Sequence, residues 1–182
     1  MSPALCAFFD KARVAPTTIT LASGAVEVPT YLWRFPSWSG EPLRDTYGGK
    51  ALVECEGSPV FAEVAMIKLL KQHGFDGAVW VDSYRRRFRD AMPPCKCELH
   101  GQEREVYERI VTLNGGRGGC WDILAWNREA VFFVECKRGR KDRMRSNQIH
   151  WLESALKSGL CPDHFAICEW EIELTAAENW AI

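Results

Sequence analysis

Four residues in the second half of the chain have the types and the order of a hydrolytic metal site. Asp122 precedes a short apolar run, and Glu135 and Lys137 follow the next apolar run, residues 131–134. Gln148 comes later, where helical spacing begins. Carboxylates are ligands that Mg2+ and Mn2+ prefer, and a bound divalent cation activates water and neutralises charge on phosphate. This order predicts catalytic roles for Asp122, Glu135, Lys137 and Gln148.

Strand geometry suggests how these residues would work together. Side chains two positions apart on a strand share a face, so Glu135 and Lys137 are expected to project together. Asp122 on the neighbouring strand could share an ion with Glu135, and the backbone carbonyl of Cys136 could complete the ligand set. Lys137 could orient the attacking water or stabilise developing negative charge. An acid-x-Lys tripeptide is a weak signal by itself, and the alternative is an exposed strand end with ordinary charged residues.

Glu63 is the candidate for a further metal ligand. Ser58 and Pro59 predict a helix start, and the apolar stripe of that helix consists of Val60, Val64, Ile67 and Leu70. Glu63 falls on the same inward stripe, where an acid must be paired, hydrated at the edge of the stripe or bound to a metal. Glu54 and Glu56 remain alternatives for this acid.

Positive charge is concentrated in two segments, although the formal net charge is only −1. One segment is residues 85–89 and the other is residues 137–145. The second segment directly follows the Glu-x-Lys tripeptide, and its charges are placed to contact backbone phosphates beside the metal site. The alternative is that both segments are solvated loops. The candidate nucleic-acid-binding residues are Arg138, Arg140, Lys141, Arg143 and Arg145.

The cysteines indicate a reducing compartment. The chain has eight of them, but Cys136 and Cys168 lie in strand-like apolar sequence, where a thiol packs as a small hydrophobic group. The N-terminal residues lack a basic segment before their apolar stretch, so neither a signal peptide nor a membrane segment is predicted, and we expect a cytoplasmic protein. Cys95, Cys97 and His100 have the short spacing of zinc ligands, but a closed site needs a fourth ligand, and a surface loop is the alternative.

The surrounding pattern predicts one domain of alternating strands and helices from 182 residues. A hairpin is predicted over residues 17–29, followed by an irregular aromatic segment over residues 31–42. These form an N-terminal extension, residues 1–52, that we expect to pack on a core, residues 53–182, with an insertion around residues 83–114. Strands are predicted at residues 78–81, at the two apolar runs around the site and at residues 165–168. The predicted helices after the first are residues 103–113 and 147–158.

The stretch from Gly118 to about Trp170 resembles the VRR-NUC branch of the PD-(D/E)XK nuclease superfamily. One departure is Trp121, which stands where the family usually has proline. Residues 58–82 match loosely, and residues 1–52 do not contribute. The motifs that carry the resemblance are Gly119-Cys120-Trp121-Asp122, Val134-Glu135-Cys136-Lys137, Asp142-Arg143 and Gln148-Ile149-His150-Trp151-Leu152.

The resemblance implies an α/β fold with a restriction-endonuclease-like core, in which helices flank a central mixed β-sheet. The predicted N-terminal β-hairpin would be an extension of that core, and the site would lie at one edge of the sheet. The implied activity is Mg2+- or Mn2+-dependent cleavage of DNA, with branched or flapped DNA in repair or recombination as the substrate class. Small relatives act as homodimers, so the same analogy suggests a homodimer here.

Two other classes of function fit parts of the sequence. A non-catalytic nucleic-acid-binding module could retain the nuclease fold, although such a site would usually have lost an acid or the lysine. An interaction protein could use the tryptophan-rich N-terminal part as a docking surface.

Overall fold

Alternating short apolar runs and longer amphipathic segments set the order of strands and helices. The structure is a computed structural model that describes residues 9–41, 43–44, 46, 49–83, 85, 87–92, 95–139 and 142–173. Its strands are β1 Arg13–Leu21, β2 Gly24–Pro36, β3 Leu52–Cys55, β4 Ser58–Phe61, β5 Gly77–Asp82, β6 Arg87–Arg89, β7 Ile123–Trp126, β8 Val131–Arg138 and β9 Phe165–Glu173. Its helices are α1 Ala62–Gln72, α2 Gln102–Leu113, α3 Ser146–Lys157 and a 3-10 turn, Pro162–His164.

Seven of the described strands form one mixed sheet in the order β1-β2-β9-β8-β7-β5-β6. The pairs β6–β5, β5–β7, β7–β8 and β1–β2 are antiparallel. The pairs β8–β9 and β9–β2 are parallel. The chain passes from β8 to β9 through α3, which supplies the long crossover that a parallel pair requires. The prediction of an α/β fold with a central mixed sheet flanked by helices is therefore confirmed.

Helices cover both faces of the sheet, as the alternation of side chains along β8 shows. Phe132 and Val134 pack in the core cluster that contains Val64 of α1. Phe133 points to the other face, where it packs in the cluster that contains Trp151 of α3. Strands that are covered on both faces are continuous apolar runs without polar alternation, which is how β7 and β8 read in the sequence.

The N-terminal hairpin is confirmed, but it is longer than predicted. β1 and β2 pair in antiparallel register around residues 22–23. Residues 31–36, predicted to be irregular, are the second half of β2 and pair with β9 in parallel. The alternating aromatic residues Tyr31, Trp33 and Phe35 have the period of a strand, and Tyr31 and Phe35 are buried. The hairpin thus adds two strands to the sheet.

The predicted start of the first helix is wrong. Ser58 and Pro59 belong to β4, which pairs with β3, and α1 begins at Ala62. Glu56 and Gly57 form the turn between β3 and β4 with positive φ angles of 54° and 73°. Two positive φ angles at the centre of a two-residue turn are typical of a tight hairpin, so this local turn decides the structure of the segment.

The later elements agree closely with their predictions. α2 and α3 each begin one residue before their predicted starts at residues 103 and 147. β9 begins at Phe165 as predicted and extends to Glu173. The region predicted as an insertion contains β6 and α2. Within the part of the chain that the structure describes, no helix has both the length and the apolar character needed to cross a membrane.

Candidate metal centre

Asp122 and Glu135 meet where β7 begins and β8 nears its end. Ile123 pairs with Val134 in antiparallel register, which sets the preceding Asp122 opposite Glu135. The N–H of Asp122 donates to Oε2 of Glu135 at 3.3 Å. The N–H of Cys136 donates to Oδ2 of Asp122 at 3.1 Å. The backbone of each strand therefore holds the carboxylate of the other.

Lys137 and Gln148 complete this arrangement. Lys137 Nζ lies 2.7 Å from Oε1 of Glu135 and donates to Oε1 of Gln148 at 3.0 Å. Gln148, in the first turn of α3, donates through Nε2 to the same Glu135 oxygen. The structure thus brings together the four residues predicted to be catalytic. We call Asp122, Glu135, Lys137 and Gln148 the α3-side group.

The approach to Asp122 is tied to α3 by two residues of the glycine-rich segment. A Cβ on Gly119 would lie 2.2 Å from the carbonyl oxygen of Asn147, and the φ of Gly119 is 113°. Only glycine fits both constraints. Trp121 is fully buried and donates through Nε1 to the carbonyl of Gln148 at 3.2 Å. This side chain therefore links the segment that carries Asp122 to the first turn of α3.

The two carboxyl groups carry more negative charge than their surroundings balance. Burial raises the pKa of Asp122 well above its usual range, and repulsion from Glu135 and Glu63 raises it further. Burial also raises the pKa of Glu135, although Lys137 partly offsets the effect. Buried acids that repel one another are stabilised by added positive charge, which a divalent cation would supply.

Glu63 approaches the same place from α1. It lies in the first turn of that helix and is 8% exposed. Its Oε1 accepts a hydrogen bond from Nζ of Lys50. Burial would lower the pKa of Lys50, but attraction to Glu63 and Asp122 outweighs burial and raises it, which keeps the ammonium charged. We call Glu63 and Lys50 the α1-side pair.

Asp122 is the member of the α3-side group that interacts with both residues of the α1-side pair. Cys136 packs in the core cluster of α1, so the alternation of β8 turns Glu135 and Lys137 towards α3. Among the described residues, no three His, Cys, Asp or Glu side chains form a group that could hold a metal ion. Glu63 is therefore not gathered with Asp122 and Glu135 into one triad. Mg2+ commonly uses one or two carboxylates with waters, so Asp122, Glu135 and the Cys136 carbonyl fit its ligand chemistry.

The alternative acids lie elsewhere. Glu54 accepts a hydrogen bond from the N–H of Gly57 in the β3–β4 turn. Glu56 is bound by Lys68 and Gln72 on the exposed side of α1. Glu63 is therefore the acid of this region that reaches the centre.

Lys50 was not predicted from the sequence. Its partner Glu63 is 13 residues away, and the segment between them contains the β3–β4 hairpin that the sequence did not reveal. The position shows no motif or spacing that would distinguish Lys50 from a surface lysine.

Both groups line one cleft of about 1040 Å3. Arg138, Arg143 and Arg145 line one part of it and Arg85 lines another. The predicted contacts Arg140 and Lys141 lie outside the described residues. The lining of the cleft therefore combines carboxylates with arginines. This combination suits the binding of an anionic polymer beside a metal.

The candidate zinc ligands do not converge. Cys95 donates to Asp90 at 3.6 Å, and His100 uses its backbone N–H to contact Glu103. Burial, with the nearby charges of Asp90 and Cys95, raises the pKa of Cys97 to about 11. Within the described segments, the loop alternative is the better interpretation.

Comparison with known proteins identifies no relative of this chain. No protein-family model, no curated protein and no solved structure matches this chain. A functional proposal therefore rests on the geometry of the cleft and on the resemblance carried by its motifs.

Proposed function

We propose that this protein is a Mg2+- or Mn2+-dependent deoxyribonuclease with a restriction-endonuclease-like core of the VRR-NUC type. One observation carries the proposal. Lys137 Nζ contacts both Glu135 and Gln148 beside Asp122, at 2.7 Å and 3.0 Å from the two partners. These residues are far apart in the sequence, and their order is the order in the family pattern.

Three groups of the chain would hold the cation: the carboxylates of Asp122 and Glu135 and the carbonyl of Cys136. Glu63 would contribute directly or through water from the side of α1. A bound divalent cation would supply an activated water and would neutralise charge on the phosphate. The proposed site would lie where the central strands β7 and β8 meet, and not on an edge strand of the sheet as the resemblance implied.

Lys137 would act on the reacting phosphate. Glu135 and Gln148 hold its ammonium in one place, and the side chain is only 10% exposed. A positive charge fixed in a water-poor site stabilises developing negative charge more strongly than one in solvent. Gln148 is a positioning residue in this scheme because it acts by holding Lys137 and Glu135.

The arginines of the cleft would bind the DNA backbone. Arg138, Arg143 and Arg145 lie on the segment between Lys137 and α3, next to the proposed metal. Contacts of this kind position nucleic acid without reading its sequence. We therefore propose recognition by backbone and shape, with branched or flapped DNA in repair or recombination as the substrate class.

The alternative is a nucleic-acid-binding module without catalysis. One observation favours it: Glu63 is paired with Lys50 and Glu135 with Lys137, so two of the acids already have a positive partner in the chain.

Incubation of the purified protein with branched and linear DNA distinguishes these functions. We expect cleavage with Mg2+ or Mn2+ and none with EDTA. Asp122→Asn should abolish cleavage, while Asp163→Asn, remote from the centre on the 3-10 turn, should retain it. Binding of DNA without cleavage under every metal tested would support the module and exclude the nuclease.

A further inference from the structure

Lys50 occupies a position where a metal would compete with it. Its ammonium is bound to Glu63 and lies 4.9 Å from the centroid of the Trp80 ring and 5.7 Å from that of Phe61. Asp122 is near enough to attract it as well. Lys50 therefore supplies positive charge to the acids of α1 and β7 in the same cleft that contains Lys137.

The two lysines of the cleft are held differently. Lys137 is 10% exposed and is fixed by two polar partners from β8 and α3. Lys50 is 36% exposed, and its contacts are one carboxylate and the faces of aromatic rings. Cation–π contacts tolerate sliding across a ring more easily than a two-point hydrogen-bonded arrangement does. Lys50 is thus the more exposed of the two lysines and the one with fewer polar partners.

We propose that Lys50 is an internal cation that competes with the divalent metal for Glu63. A metal bound by Glu63 and Asp122 would repel the ammonium and take over its role as counter-charge. The displaced side chain would remain in the cleft, because the Trp80 ring beside it still attracts a cation. This inference rests on the proposed function, because it assumes that a divalent metal binds at this centre.

Mn2+ titration of metal-free protein without DNA tests the competition, with isothermal calorimetry reporting the affinity. We expect Lys50→Met to tighten Mn2+ binding by about tenfold, and Lys50→Arg, which keeps the charge, to remain within about twofold of wild type. In a Glu63→Gln background the effect of Lys50→Met should fall below about twofold.

A matched control removes a lysine of α1 that lies outside the centre. Lys68 pairs with Glu56 at 2.9 Å outside the cleft, so Lys68→Met should leave Mn2+ affinity unchanged. Circular dichroism tests whether each variant folds. If Lys50→Met does not fold, Lys50→Gln takes its place.

The outcomes separate this inference from the proposed function. If the wild-type protein binds no Mn2+, both the competition by Lys50 and the proposed metal-dependent function are excluded. Wild type that binds Mn2+, with Lys50→Met equal to or weaker than wild type, would overturn the competition alone. Equal tightening by Lys50→Met and Lys50→Arg would also overturn it, because the effect would then not depend on charge.

Discussion

The α3-side group and the α1-side pair meet at Asp122, which belongs to the first, and are held together by different means. The α3-side group is held by hydrogen bonds among neighbouring strands and the first turn of α3. The α1-side pair is one ion pair between a helix and a preceding loop, with the lysine partly exposed. We therefore call the α3-side group the fixed half of the centre and the α1-side pair its exchangeable half. Each prediction below tests that difference.

Loss of Lys137 should have the largest effect on activity. In Lys137→Ala, the charge that acts on the phosphate is removed, and cleavage should fall by about a thousandfold. Single-turnover cleavage of branched DNA with Mn2+ measures the loss. Lys157→Ala is the matched control, since Lys157 is an exposed lysine of α3 paired with Glu153. Cleavage that survives in Lys137→Ala would show that the α3-side group does not contain the reacting lysine.

The acids of the two halves should differ in their contribution to metal binding. Glu135→Gln should weaken Mn2+ binding by about a hundredfold and Glu63→Gln by about tenfold, because Glu135 is a proposed direct ligand whereas Glu63 is proposed to contribute directly or through water. Calorimetry gives both affinities, and Glu56→Gln is the control for an acid outside the cleft. Equal losses for the two acids would remove the distinction between fixed and exchangeable halves.

DNA affinity should depend on the segment that leads into the fixed half. Arg143 and Arg145 are exposed and line the cleft, so the double Ala variant should lose about tenfold in affinity and lower the salt slope by about two. Fluorescence anisotropy with Ca2+ in place of Mg2+ measures binding without turnover. Arg128→Ala, on the β7–β8 turn, should bind normally. An unchanged salt slope in the double variant would place the DNA elsewhere.

The smallest effect concerns stability in the absence of metal. Folding raises the pKa of Asp122 above its unfolded value of about 3.9. The contribution of Asp122 to the free energy of unfolding is therefore complete below about pH 3.9 and is lost as the pH rises through the folded pKa. Asp122→Asn should therefore melt about 3 °C higher than wild type near pH 8 and at nearly the same temperature near pH 4. Thermal melts in EDTA measure this. A wild type that is the more stable protein near pH 8 would contradict the burial, and the repulsion from Glu135 and Glu63, to which the raised pKa of Asp122 is assigned.

The fixed half could be predicted from the sequence because its residues belong to regular elements. The period of a strand puts Glu135 and Lys137 on one face, and the start of an amphipathic helix locates Gln148. Apolar runs likewise predicted β5, β7, β8 and β9, and helical spacing predicted α2 and α3.

Of the exchangeable half, Glu63 was predicted as a candidate ligand from its place on the helix stripe, but its partner Lys50 was not. Lys50 reaches Glu63 only after the β3–β4 hairpin has folded, and that hairpin depends on positive φ at Glu56, a residue that gives little sign of it. The same turn explains why Ser58 and Pro59 lie in a strand and not at a helix start. The pairing of β2 with β9 was missed for a related reason, because a parallel contact between distant segments leaves no local pattern.

That parallel pairing affects how the protein could be shortened. β2 covers the outer backbone of β9 from Thr30 to Pro36. A fragment that began at residue 53 would expose the N–H and C=O groups of β9 to solvent, next to the strand that carries Glu135 and Lys137. Open strand edges pair with one another, so such a fragment is expected to self-associate. The hairpin thus covers the backbone edge of β9, and we expect a fragment that stays monomeric to need β1 and β2.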